Sequence, residues 1–222
     1  MIRFDAVLWD LDGTLVETRR DIATAVNLLL ADRQLPPMSV DAITAHVGRG
    51  SRFLVTRCLY TRGSGPIDAA QVERAYEAFR GYYLDHLLDT SVPYPGVLEL
   101  LERLRVAGVV MGIVSNKPED LGRRLIDGLG MARFFAELLG GDSLPERKPD
   151  PAPLLHLRRR LCGGVCRALM VGDMPVDLEA ARAAGIPAAA VGWGFGSKQD
   201  LLSASPDLFA ESPAALGEWI LG

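Results

Sequence analysis

The sequence predicts an α/β fold: a parallel sheet covered by helices on both faces and interrupted once by an all-helical insertion. Three observations carry that expectation. Short apolar runs recur along the chain and stop at Asp, Ser or Gly, and helical periodicities fill the intervals between them. One long stretch, 16–91, shows helical periodicity without a convincing strand.

In chain order, Ala6-Val7-Leu8-Trp9 reads as a buried strand ending at Asp10. Val109 to Val114 repeats the pattern and ends at Ser115-Asn116, and Ala168-Leu169-Met170-Val171 ends at Gly172-Asp173. Ala188 to Val191 is a weaker fourth run ending in glycines. Periodicity alone does not separate such runs from buried helix, so length and flanking Gly or Pro decide. Helical patterns run from Val97 to Ala107 after Pro95-Gly96, from near Pro118 with Leu121, Leu125 and Leu129 in step, and from Pro175 to Ala184. Strands alternating with helices of this length imply a parallel sheet buried on both faces.

The helical stretches of the insertion carry Ile22, Val26, Leu29 and Leu30, then Phe53, Leu54, Cys58 and Leu59, then Val72, Ala75, Tyr76, Phe79 and Tyr83 between Gln71 and Leu88. Turn clusters at Pro36-Pro37 and Gly63-Ser64-Gly65-Pro66 separate them. The expected organisation is a core of 1–15 and 92–222 with a cap of 16–91, either a lid over the sheet or a packed side domain.

Composition narrows the classes. Twenty-four Lys plus Arg against 28 Asp plus Glu give a net charge of −4, which argues against a nucleic-acid footprint. No apolar stretch approaches the roughly 18–20 residues of a membrane span. Cys58, Cys162 and Cys166 do not make a paired disulfide framework, and Cys162-Gly-Gly-Val-Cys166 is not a zinc spacing. No signal peptide is evident, so a cytoplasmic protein is expected. Oligomeric state is not readable.

Candidate chemistry gathers at the predicted strand ends, where ligands bind in parallel α/β sheets. Asp10 and Asp12 in extended chain point to one side, and a hard cation such as Mg²⁺ would relieve their repulsion. Gly13 permits a sharp bend, and Thr14 offers a hydroxyl and an N–H to an anion; an ordinary Asx turn is the alternative. Asp173 adds a third carboxylate to an oxygen cage. Asp177 joins it or is simply an acid in a first helical turn. Ser115-Asn116 reads as a helix cap or as a phosphate anchor. Lys148 is a solvated lysine or the cation that a phosphate among carboxylates needs. Gly48-Arg49-Gly50 is a turn whose arginine could pair bidentately with a substrate carboxylate or face solvent.

Asp10-Leu-Asp12-Gly13-Thr14-Leu15, Ser115-Asn116-Lys117-Pro118, Lys148-Pro149 and Gly172-Asp173…Asp177 resemble, in order, the four motifs of the haloacid dehalogenase-like hydrolases. Arg147-Lys148-Pro149-Asp150-Pro151, Val47-Gly48-Arg49-Gly50, Tyr94-Pro95-Gly96 and Trp193-Gly194-Phe195-Gly196 are similar to its phosphoglycolate phosphatase group. Met174 departs from the small hydroxyl residue many relatives place there. The resemblance implies a Rossmann-like core with an α-helical cap and an Mg²⁺-dependent phosphatase acting on a small phosphorylated metabolite, 2-phosphoglycolate foremost. It implies Asp10 as nucleophile and metal ligand, and Asp12 as acid, then base, and metal ligand through its carbonyl. Asp173 and Asp177 would serve the metal, and Gly13, Thr14, Ser115, Asn116 and Lys148 the phosphate, with Arg49 reading the substrate. A sugar phosphomutase or pyrophosphatase of the same superfamily is the alternative, and a non-catalytic phospho-receiver or binding protein the competitor from another class. The chain has neither a GxSxG nucleophile elbow nor a Walker P-loop.

Overall fold

The computed structural model describes residues 2–63, 66–163 and 165–222. The chain divides into two compact units, Met1–Glu17 with Pro93–Gly222, and Thr18–Val92. The short strands β2 (Val16–Glu17) and β3 (Val92–Pro93) pair where the chain passes between units.

The first unit is built on a six-stranded, all-parallel sheet. In chain order its strands are β1 (Ala6–Trp9), β4 (Val110–Val114), β5 (Glu137–Leu139), β6 (Ala168–Gly172), β7 (Ala188–Val191) and β8 (Leu208–Ala210). The spatial order is β5-β4-β1-β6-β7-β8, so β1 is central. The four strands expected from apolar runs are all present. Alternate residues serve opposite faces: Ala6, Leu8, Ala168, Met170, Ala188 and Ala190 enter one cluster with Leu154, Leu157, Leu178 and Ala181. Those last residues belong to α7 (Ala152–Cys162) and α8 (Pro175–Ala184). Val7, Trp9, Leu169, Val171 and Ala189 on the other face are fully buried too, which is why the strands read as unbroken apolar runs. The remaining helices of this unit are α5 (Val97–Val106), α6 (Glu119–Gly128), α9 (Lys198–Ser203) and α10 (Pro213–Leu221).

The second unit holds α1 (Arg19–Asp32), α2 (Val40–Thr44), α3 (Ser51–Thr61) and α4 (Ala69–Asp85). Its core is the expected apolar stripe: Ile22, Val26, Leu29 and Leu30 against Leu54, Cys58, Leu59, Phe79 and Tyr83. Asp68 caps α4 in a reciprocal box with Gln71. Of the turn expected at Gly63-Ser64-Gly65-Pro66, Ser64 and Gly65 lie outside the described residues. Asp21, buried in the first turn of α1, accepts from the Thr90 N–H and hydroxyl and from the Ser91 N–H and hydroxyl at 2.6–3.1 Å. Burial alone would raise its pKa, but these donors outweigh burial and lower it.

One expectation is corrected. Cys162 and Cys166 are joined as a disulfide, because the end of α7 turns back through Gly163 (φ +68°) and brings their Cα atoms to 6.1 Å. Cys58 is free and buried. Among the described residues no helix is long and apolar enough to cross a membrane.

Candidate active site

The sheet order explains where the chemistry collects. The chain departs from β1 to β4 on one side and later fills β6 on the other, so the strand order reverses at β1 and a crevice opens at its carboxyl end. Asp10, Ser115 and Asp173 are each the first residue past β1, β4 and β6. The Asp10 N–H continues the ladder to the Val171 carbonyl, and that of Ser115 continues it to Leu139, which fixes both starting points.

Three of the predicted carboxylates come together. Asp10, Asp173 and Asp177 each present an oxygen within 4.8 Å of the others, and all three residues are buried. The Lys148 ammonium, with 1% of its side chain exposed, donates to Asp10 Oδ1 at 2.8 Å, Asp177 Oδ1 at 2.7 Å and the Val114 carbonyl at 2.7 Å. Lys148 is therefore no solvated lysine. Burial alone would lower its pKa, but Asp10 and Asp177 more than offset that and hold it raised. Burial, then the neighbouring Asp10 and Asp177, pushes Asp173 well above the carboxylate range. Burial also pushes Asp177 up, to about 6, against the pull of Lys148.

Three buried acids facing one ammonium leave an excess of negative charge, and the raised Asp173 expresses the same demand for positive charge. An all-oxygen donor set of this kind fits a hard divalent cation. Asp177 does two jobs: Oδ1 accepts from Lys148, and Oδ2 accepts from the Met174 N–H at 3.0 Å to cap α8, whose first residue is Pro175.

Asp12 stands apart from this trio. Its two oxygens accept from the Lys117 ammonium at 2.9 and 3.1 Å, and only 4% of the Lys117 side chain is exposed. Four predicted anchors take more specific places than expected. The Thr14 hydroxyl donates to Asp173 Oδ1 at 2.7 Å, which leaves its backbone N–H, not its hydroxyl, for an anion. The Gly13 N–H donates to the Val16 carbonyl at 2.9 Å, and its lack of a side chain provides space. At φ +87° a Cβ there would lie 2.3 Å from Asp173 Oδ2. The Asn116 amide donates to the Lys148 carbonyl at 2.8 Å and so secures the lysine's loop. The Ser115 hydroxyl accepts from the Lys117 N–H at 3.3 Å.

Sequence reasoning gave no role to Lys117 or to the loop after β7. The Phe195 N–H donates to Asp173 Oδ2 at 2.7 Å, and the Trp193 indole donates to the Thr14 carbonyl at 3.0 Å. Gly194 lets the loop press on the site, since a Cβ there would lie 2.3 Å from that of Asp173 and 2.4 Å from the Gly13 carbonyl oxygen. The signals were visible as Gly192-x-Gly194-x-Gly196 after a strand and as a lysine directly following Ser115-Asn116.

Arg49 belongs to the helical unit. It is exposed, sits between Gly48 (φ +103°) and Gly50 (φ +92°), and places its guanidinium 5.5 Å from the Phe53 ring centroid.

Residues 4–185 match the family model of a haloacid dehalogenase-like hydrolase. The chain is 38% identical over 218 residues to a phosphoglycolate phosphatase of Rhodospirillum rubrum, covering 97% of this chain and 90% of that one. It is 39% identical over 211 residues to a phosphoglycolate phosphatase of Chromobacterium violaceum, covering 95% and 94%. A crystal structure of a predicted phosphoglycolate phosphatase from Haemophilus somnus superposes with a TM-score of 0.91 at 30% identity over 99% of both chains.

Proposed function

The chain belongs to the haloacid dehalogenase-like hydrolases and is a phosphoric monoester hydrolase, and on that premise we propose that it removes phosphate from 2-phosphoglycolate through an aspartyl-phosphate on Asp10. The observation that carries the mechanism is the buried group of Asp10, Asp173, Asp177 and Lys148 at the strand ends. The substrate follows the names of relatives that match along nearly the whole chain.

In this reading a carboxylate oxygen of Asp10 attacks phosphorus in line with the departing alkoxide. Lys148 lies against that carboxylate and is placed to draw negative charge from the phosphoryl oxygens as it accumulates. Ser115 and the Thr14 N–H hold the remaining oxygens, and Asn116 keeps Lys148 in place. Asp12 gives a proton to the leaving oxygen, then takes one from the water that hydrolyses the aspartyl-phosphate. Asp10 and Asp173 with the Asp12 carbonyl would hold Mg²⁺, and Asp177 would orient them. When bound, Mg²⁺ supplies positive charge beside the phosphoryl oxygens that the protein alone does not provide. Arg49 is our candidate for pairing with the carboxylate that distinguishes phosphoglycolate from other esters.

The test is a screen of small phosphorylated metabolites with and without Mg²⁺, run beside Asp10→Asn. Phosphoglycolate should give the highest kcat/KM, and Asp10→Asn should stay folded and lose nearly all turnover, because an amide does not attack phosphorus. Near-wild-type turnover in purified Asp10→Asn would overturn the mechanism.

A further inference from the structure

Two lysines divide the acids of this site. Lys148 serves Asp10 and Asp177, whereas Lys117 serves Asp12, through contacts to both of its oxygens at 2.9 and 3.1 Å. The Lys117–Asp12 pair is sheltered, with 4% and 11% of the side chains exposed, so the contact is not a loosely held surface pair. Lys117 lies three residues past β4 and Asp12 three past β1, strands that are hydrogen-bonded neighbours.

We propose that Lys117 is a positioning residue for Asp12: its ammonium, placed against both carboxyl oxygens, keeps that group apart from the Asp10–Asp173–Asp177 cluster and aimed at the leaving group. The inference rests on the phosphatase reading above and adds to it a residue that acts through Asp12.

The physical argument runs through what Asp12 would do without its partner. A fourth acid beside three buried ones is repelled by them and attracted to the nearest cation, which is then Lys148. Swinging there removes the acid from the leaving oxygen and takes charge from Lys148. Lys117 prevents both. The arrangement also survives a change of protonation, since a neutral carboxyl still accepts a hydrogen bond through its carbonyl oxygen. In the step concerned, a bond forms between phosphorus and an Asp10 oxygen while the bond from phosphorus to the ester oxygen breaks. The electron pair of that bond stays with the ester oxygen, which takes the proton from Asp12. A misplaced Asp12 therefore penalises esters whose alkoxide cannot leave without that proton and spares those that leave as stable anions.

That difference is the experiment. kcat/KM is measured for wild type, Lys117→Met and Lys117→Arg, with Mg²⁺, on 2-phosphoglycolate, ethyl phosphate and 2,4-dinitrophenyl phosphate. This ratio reports the steps through departure of the leaving group, so later hydrolysis of the aspartyl-phosphate does not mask the effect. General acid catalysis contributes about 10²–10⁴-fold, and Lys117→Met should lose at least about 30-fold on both alkyl esters but under about 3-fold on the dinitrophenyl ester. Lys117→Arg, which presents two donors to a carboxylate, should recover most of the loss. Activity retained on the dinitrophenyl ester shows that the variant is folded; Lys117→Gln replaces Lys117→Met if the latter is insoluble. Equal losses on all three esters, no loss on any, or a loss confined to phosphoglycolate would each overturn the proposal while leaving the phosphatase reading intact. Wild-type protein that turned over none of the three would overturn both.

Discussion

Replacing Lys148 by methionine keeps the length of the side chain and removes its charge. In the native protein the ammonium makes three hydrogen bonds, to Asp10, Asp177 and the Val114 carbonyl, at 2.7–2.8 Å with almost no solvent access. Taking one partner out of a buried ion pair costs about 3–5 kcal/mol, because the remaining charge stays in place without compensation. For a chain of this size that corresponds to a fall in Tm of roughly 10 °C. The loss should be largest in EDTA. Three buried carboxylates without a cation should bind Mg²⁺ more avidly than the wild-type group does, so added Mg²⁺ should raise the Tm of Lys148→Met further than that of wild type. Turnover should fall independently of stability, by roughly 3 kcal/mol or about 10²-fold, as for the removal of one donor to a developing anion. Thermal unfolding with and without Mg²⁺, together with kcat at saturating metal, measures all of this. A Tm within about 2 °C of wild type in EDTA, equal Mg²⁺-induced shifts and turnover within a factor of three would together refute the cage, since the rates assigned to burial and pairing would then not apply here.

Gly13→Ala should cost about 1–2 kcal/mol for the left-handed backbone and should also displace the Asp173 carboxylate, so isothermal titration should show weakened Mg²⁺ binding; unchanged affinity would mean that Asp173 has room to spare. Asp21→Asn should destabilise the helical unit by about 3 kcal/mol, because an amide turns a donor toward groups that are themselves donors. The pKa of Asp21 is lowered in the folded state, so its contribution is present above about pH 4 and is lost as pH falls through the folded value. Urea unfolding of wild type and Asp21→Asn should accordingly converge in acid, and a gap that widened there would contradict the assignment. Arg49→Ala should reduce kcat/KM for phosphoglycolate at least about tenfold and spare an uncharged aryl phosphate; equal losses, or none, would remove Arg49 from the reaction.

The parts of the molecule that the sequence announces are those with their own local signature. β1, β6 and β7 are buried along their whole length and β4 at every position but Val110, so both faces of these strands are apolar. β5 and β8 escape such a reading because each has only three residues at or beside a sheet edge, where the extended state comes from pairing with β4 and β7 and not from composition. In the site the contrast is similar. Carboxylates at strand ends are conspicuous, and Asp10, Asp173 and Asp177 do converge. What supports them is not conspicuous. The Phe195 N–H on Asp173 has no side-chain identity, and the Thr14 hydroxyl and Asn116 amide are turned to Asp173 and the Lys148 carbonyl by distant parts of the chain. The disulfide of Cys162 and Cys166 follows from a tight turn at the end of α7 that a count of cysteines does not show.

Asp21 has a meaning beyond stability. It stands four residues into the helical unit and grips Thr90 and Ser91 as the chain is about to leave, so the segment's entrance and exit are fastened to each other by its own side chains. A piece of chain closed in this way supplies its own core and its own closure. Its own side chains thus add to the closure that the β2–β3 pair already provides at the same neck. Closure at the neck makes the insertion a self-contained module, able to change while the acids and lysines of the sheet stay as they are.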